Sequence, residues 1–198
     1  FDSDGSIVSY NWSGSPDPAD IVIPTVSLGA GDHTFFLVVT DNSGAASEAD
    51  SVTIHVNTPP VANAGPDQQV NIPAGAATVN VTLDGSASAD SDGTIAAYAW
   101  TGAPNPADVV GPTVSLGAGT HVFTLVVTDD DGAASYADTV TIYVNATPVA
   151  DAGPAQFVNL PLIYQTSGKA AAATVNVTLD GSGSTDSDGT IVTYSWTG

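Results

Sequence analysis

The 198-residue sequence predicts an all-β protein built of tandem β-sandwich domains arranged end to end. Strand-like runs recur about every ten residues with Gly, Pro, Asp and Asn between them, and no stretch carries a helical apolar period. The passage Asp90-Ser-Asp92-Gly93-Thr-Ile95-Ala-Ala-Tyr98-Ala-Trp100 returns as Asp2-Ser-Asp4-Gly5-Ser-Ile7-Val-Ser-Tyr10-Asn-Trp12 and as Asp186-Ser-Asp188-Gly189-Thr-Ile191-Val-Thr-Tyr194-Ser-Trp196. Steps of 88 (90 minus 2) and 96 (186 minus 90) residues are too long for a solenoid and suit whole domains in series. One full repeat, 58–145, is flanked by the back part of a repeat, 1–57, and the front part of another, 146–198.

In the full repeat, Val79, Val81 and Leu83 alternate with Asn80 and Thr82, which describes a strand with one wet face. Tyr98 and Trp100 share a face of the next strand, and Val114 and Leu116 begin another. The longest strand, 120–128, sets Phe123, Leu125 and Val127 on one face, with Phe35, Leu37 and Val39 at the same places in the first repeat. That face is expected to be buried, while the opposite one varies: Phe36 stands where the full repeat has Thr124 and is expected to project outward. The last strand is expected to bury Val140, Ile142 and Val144, matched by Val52, Ile54 and Val56. Asp129-Asp-Asp-Gly132 and Asp41-Asn-Ser-Gly44 read as the turns joining the last two strands. The connectors Asn57-Thr-Pro-Pro-Val61 and Asn145-Ala-Thr-Pro-Val149 favour extended backbone and limit bending, which suggests a rod.

Composition narrows the function. Twenty-one acidic residues face one basic residue, Lys169, and Glu48 is the only glutamate. Aspartate suits turns and hard-cation sites, so the bias favours a loop-rich β protein and calcium, and the sign of the charge excludes nucleic acid as a partner. Only 11% of residues are charged, so the unusual feature is missing cations rather than the dense carboxylate coat of a halophile. Without cysteine, packing alone or packing with a metal must hold each small core. No run of 18 apolar residues occurs, so no membrane span is expected in this segment. The chain begins at Phe1 without a start methionine and is expected to be part of something longer.

These residues resemble the polycystic-kidney-disease (PKD) repeat family, immunoglobulin-like β-sandwiches of microbial surface proteins and secreted hydrolases. The resemblance rests on Pro60-Val-Ala-Asn-Ala-Gly65-Pro-Asp, Val81-Thr-Leu-Asp84-Gly-Ser, the Asp-Ser-Asp-Gly turn, the Ile-x-x-Tyr-x-Trp strand and Leu125-Val-Val-Thr-Asp129-Asp-Asp-Gly132. It covers essentially the whole chain. One departure is clear: many members follow the tryptophan with Asp-Phe-Gly-Asp-Gly, whereas Trp100 precedes Thr-Gly-Ala-Pro-Asn-Pro-Ala-Asp108 and Trp12 precedes Ser-Gly-Ser-Pro-Asp-Pro-Ala-Asp20.

The leading chemical candidate is calcium at the repeat junctions. Asp90 and Asp92 straddle one residue in a tight turn and repel each other unless a cation lies between them. The resemblance implies that a side-chain oxygen of the leading segment joins the turn, which gives Asn63 with Asp90 and Asp92, and Asp151 with Asp186 and Asp188. The alternative is a plain turn whose carboxylates are satisfied by nearby backbone N–H groups. His33 and His121 begin the long strands, and a lone histidine there is ordinary structure. The Tyr and Trp of the repeated passage could stack on sugars but read first as core. The sequons at Asn11, Asn80, Asn145 and Asn176 fit chance in so Thr- and Asn-rich a chain. The third repeat alone carries an insertion, within 162–169, where Leu162, Ile163 and Tyr164 could contact a neighbouring rod; loop drift is the plainer explanation.

No nucleophile elbow or isolated acid–base pair is present, so no enzyme activity is expected. The expected function is a non-catalytic extracellular or cell-surface structural segment: a rod or filament of tandem PKD-like domains on a microbial cell, its partners neighbouring copies of the same chain. Two alternatives stand beside it. One is an accessory or spacer of a large secreted hydrolase, with polysaccharide as its ligand, and the other is an adhesin stalk.

Overall fold

The computed structural model describes residues 5–160 and 174–198, and among them all regular structure is β. Asp2 and Asp4 and the 162–169 insertion lie outside the described residues. Nine strands form: β1 (Ile7–Ser13), β2 (Gly31–Asp41), β3 (Asp50–Val56), β4 (Gln68–Asn71), β5 (Val79–Thr82), β6 (Ile95–Thr101), β7 (Thr113–Leu116), β8 (Gly119–Asp129) and β9 (Asp138–Asn145). They make a three-stranded sheet β1-β2-β3, a four-stranded sheet β4-β9-β8-β6 and a two-stranded sheet β5-β7. All pairs are antiparallel except β4 with β9.

Side chains alternate across each strand, so one face of β6-β8-β9 and one face of β5-β7 are apolar and close on each other. From the first come Trp100, Phe123, Leu125, Val127, Val140 and Ile142, and from the second Val81, Leu83, Val114 and Leu116; all are buried. This is the sandwich expected for 58–145, with Tyr98 half-buried against it.

The sheet β1-β2-β3 repeats the geometry of β6-β8-β9 in the same register. Tyr10 opposes Val39 as Tyr98 opposes Val127, Phe35 opposes Val52 as Phe123 opposes Val140, and β1 and β6 each carry an irregularity after their first isoleucine. Phe36 projects outward, as expected. The expectation that Val52 and Ile54 are buried needs correction: they are 45% and 39% exposed, whereas Val140 and Ile142 are 0% exposed. Their strand is the same, but the strand pair β5-β7 that covers the corresponding face in 58–145 has no counterpart among the described residues of the first segment.

The segment after the tryptophan has a structural task. Asp108 accepts the Trp100 backbone N–H at 3.0 Å and the Val109 carbonyl accepts the indole N–H at 2.9 Å. Asp20 and Ile21 do the same for Trp12 at 2.8 and 3.0 Å. A buried indole N–H without an acceptor is costly, so the Pro-rich loop is the device that lets a full-size indole sit in the core. Gly102 completes it, because a Cβ there would strike the Phe123 ring. Trp100→Ala should lower the stability of the sandwich by about 3–5 kcal/mol, read from urea unfolding; a loss below about 1 kcal/mol would mean the indole is not the centre of this core.

Candidate functional site

The repeated turn lies where the connector 57–61 meets the full sandwich. A Cβ on Gly93 would stand 2.8 Å from Asp90 Oδ2 and 2.6 Å from Asp130 Oδ1, so two carboxylates converge on its backbone. Asp130 belongs to the β8-β9 turn, and its Oδ1 accepts the Thr94 N–H at 2.7 Å, which ties the two turns together. Asp90 Oδ1 accepts the Asp92 N–H at 3.4 Å, while Asp90 Oδ2 is buried with no hydrogen-bond partner. Asp92 Oδ2 accepts the backbone N–H of Thr58 at 3.0 Å, so the connector is held by the turn. Burial pushes the Asp92 carboxyl up, but the Thr58 hydrogen bonds, Asp90 and the charge of His55 outweigh it and leave it below the ordinary carboxylate value. Asp130 is lowered as well, chiefly by the Thr94 N–H.

Much of the arrangement recurs in the third segment. Asp188 Oδ2 accepts the Ala146 N–H at 2.8 Å, a Cβ on Gly189 would stand 2.8 Å from Asp186 Oδ2, and Asp186 Oδ1 is buried without a partner. Asn63 and Asp151 do something else. Asn63 Oδ1 accepts the Gly65 N–H at 2.9 Å and Asp151 Oδ1 accepts the Gly153 N–H at 2.8 Å, while their own N–H groups donate to Ser88 and Ser184. Both side chains thus shape their own turns. Among the described residues no group of three or more His, Cys, Asp or Glu side chains is gathered to hold a metal ion. The orphaned oxygens of Asp90 and Asp186 nevertheless suit a hard cation, since a buried carboxylate oxygen needs a partner.

Sequence reasoning missed three participants. Asp130 completes the cluster around Gly93. Asp129, 2% exposed, takes the Asn57 amide at 2.8 Å on one oxygen and the Ala133 N–H at 2.7 Å on the other, a second tie to the connector. His55, on β3, lies 2.7 Å from Asp32 on the neighbouring strand and 3.4 Å from Asp131 beyond the connector. A signal existed: Asp32 and His55 are opposed in the β2-β3 register, and in the β8-β9 register the same places hold Thr120 and Tyr143. His33 and His121 bond back to the Gly29 and Gly117 carbonyls at 2.9 and 3.0 Å, the structural role expected of them.

The Asp32 hydrogen bond, more than the charges of Asp131 and Asp92, raises the His55 pKa above 6.5 against a smaller desolvation effect. A raised value means the pair's contribution is fully present below 6.5 and is lost as pH rises through the folded value. The His55 ring should therefore titrate above 6.5 by NMR, and Asp32→Asn should shift its midpoint down further than Asp131→Asn does. A midpoint indifferent to Asp32 would contradict this geometry.

The family model described as "K319L-like, PKD domain" matches residues 64–144. The mouse dyslexia-associated protein KIAA0319-like protein is 35% identical over 98% of this chain and 19% of its own length. Human dyslexia-associated protein KIAA0319 is 34% identical over 98% of this chain and 19% of its own length. The chain thus spans about a fifth of the curated relatives it matches. The solution structure of the PKD domain from KIAA 1837 protein is 34% identical, covering 48% of this chain and 92% of that one, with a TM-score of 0.36.

Proposed function

Because the chain belongs to the PKD repeat family, we propose that it is a non-catalytic extracellular structural segment, a rod of PKD-like sandwiches set end to end at a cell surface, with neighbouring copies as partners in a filament or array. The observation that carries this reading is a tie made twice. The first residue after each connector's asparagine, Thr58 or Ala146, gives its N–H to the second aspartate of the next turn, Asp92 or Asp188. With the connector so short and so bonded, successive units have little freedom to bend. The matched relatives are mammalian, so the domain class reaches beyond the microbial setting expected from the sequence.

Calcium is part of the proposal. Asp90 and Asp92 with Asn63, and Asp186 and Asp188 with Asp151, would hold it, and the unpartnered Asp90 and Asp186 oxygens support the assignment. Asn63 and Asp151 would each have to offer an oxygen beyond the bond made within their own turn. Bound there, the ion would supply charge neutralisation between carboxylates that otherwise repel, and so stiffen the junctions. The sugar-platform alternative is disfavoured for Trp100, which is buried to 2% exposure and shows no face to a ligand.

Calorimetry and small-angle scattering with calcium and with a chelator test both parts. Expected are an elongated particle in either condition and, at a hundredfold excess of calcium over its Kd, stabilisation of about 2.7 kcal/mol. Unchanged melting would remove calcium from the account, and a compact particle would remove the rod.

A further inference from the structure

A side chain of the first sheet reaches the sandwich that follows it. The ties made by Asn57 and Thr58 belong to the connector, whereas His55 lies on β3 itself and sets its Nε2 3.4 Å from Asp131 in the β8-β9 turn. Its Nδ1 lies 2.7 Å from Asp32 on β2. Asp92 and Asp130, from the two turns at the same pole, add their negative charge to its surroundings. No Lys or Arg stands among the described residues, and His33 and His121 each turn a ring nitrogen to a glycine carbonyl. His55 is thus the group that can bring a positive charge into this acidic joint.

Its two partners are particular to the joint. At the corresponding places of the other unit Thr120 stands for Asp32, Tyr143 for His55 and Ser43 for Asp131. Two departures on one unit therefore meet a third on the next, across the connector, which marks a contact between units rather than a feature of the sandwich.

We propose that His55 is a proton-operated latch: as imidazolium it clamps the first sheet to the Asp131 turn of the following sandwich, and as neutral imidazole it lets the joint bend. Donor count decides this. A neutral imidazole has one N–H, and the short Asp32 contact takes it, so the bare Nε2 lone pair is turned toward the Asp131 carboxylate. Only the imidazolium donates to both. Once the proton leaves, Asp32, Asp131, Asp92 and Asp130 surround a ring that no longer offsets their charge. The Asp32 hydrogen bond holds the His55 pKa above 6.5, so the clamp is complete below 6.5 and is lost as pH rises through the folded value. Aspartates stay ionised over that range, so the Asn57 and Thr58 ties persist and the connector stays docked while the preceding sheet is freed. An exposed ion pair is individually weak. The latch accordingly sets how often the joint bends and leaves the folding of either unit alone.

The latch rests on the end-to-end reading above and adds a control to it. Because the chain has no cysteine, spin labels at Asn11→Cys on β1 and Ala118→Cys between β7 and β8, both exposed positions, report the distance across the joint. With chelator present throughout, so that calcium plays no part, double electron–electron resonance at about pH 5.5 should give a narrow distribution. At about pH 9 the population outside the main peak should rise roughly two- to fivefold. Asp131→Ser and His55→Tyr install the residues that the other unit carries at those places, and unchanged melting serves as the folding control. Each variant should give the broad distribution at both pH values, and in Asp131→Ser the His55 ring should still titrate above 6.5 by NMR because Asp32 remains. A labelled parent with the same distribution at both pH values, or a folded variant that keeps the pH response, would overturn the latch alone. A distance at both pH values too short for units set end to end would overturn the rod and the latch with it.

Discussion

The structure depends on burying one sheet face against another. A strand pair with Phe123, Leu125, Val140 and Ile142 on one side gains little until Val81, Leu83, Val114 and Leu116 close over it. Fully burying each such side chain is then worth about 1.5–3 kcal/mol. The chain holds the same sheet twice in the same pairing register, and the two copies differ in burial: Val52 and Ile54 are exposed and Trp12, Leu37 and Val39 only half-buried, whereas Val140, Ile142, Trp100, Leu125 and Val127 are buried. Trp100 is the largest member of the covered core, and Asp108 and Val109, at the end of the loop that follows it, satisfy its two N–H groups.

From that core the junction follows. The β8-β9 turn and the Asp-Ser-Asp-Gly turn stand at the same pole of the sandwich, and Asp130 joins them through Thr94. Their carboxylates face the incoming connector, so Asp92 and Asp129 bind its backbone and its asparagine. An acidic composition that looks excessive along the sequence is thereby concentrated where backbone N–H groups need acceptors. What is left over, one oxygen on Asp90 and one on Asp186, is the part of the pole that hydrogen bonding within the chain does not satisfy.

Much of this was legible in the residues. Period-two alternation marked β5, β8 and β9 with their buried faces, because a strand's pleat imposes that pattern locally. Outward Phe36 followed from the same rule. β4 was not legible: Gln68–Asn71 carries little apolar signal and is a strand only because β9 offers it a parallel edge. The exposure of Val52 and Ile54 escaped for a related reason, since burial is decided by a facing sheet and not by the strand's own pattern. At the junction the Asp-Ser-Asp-Gly turn stood out by repetition, whereas Asp130 and His55 could be found only from the register that brings distant residues together. Asn63 and Asp151 resemble ligands by position, yet local hydrogen bonds to Gly65 and Gly153 set their orientation.

The central claim is that coverage, not strand pairing, sets the stability of these sheets. Amide hydrogen exchange on the chain tests it most directly by comparing Val140, Ile142 and Val144 with Val52, Ile54 and Val56. The account predicts that the first set exchanges slower by orders of magnitude, each factor of ten corresponding to about 1.4 kcal/mol of opening free energy. Equal protection at the two sets would contradict it.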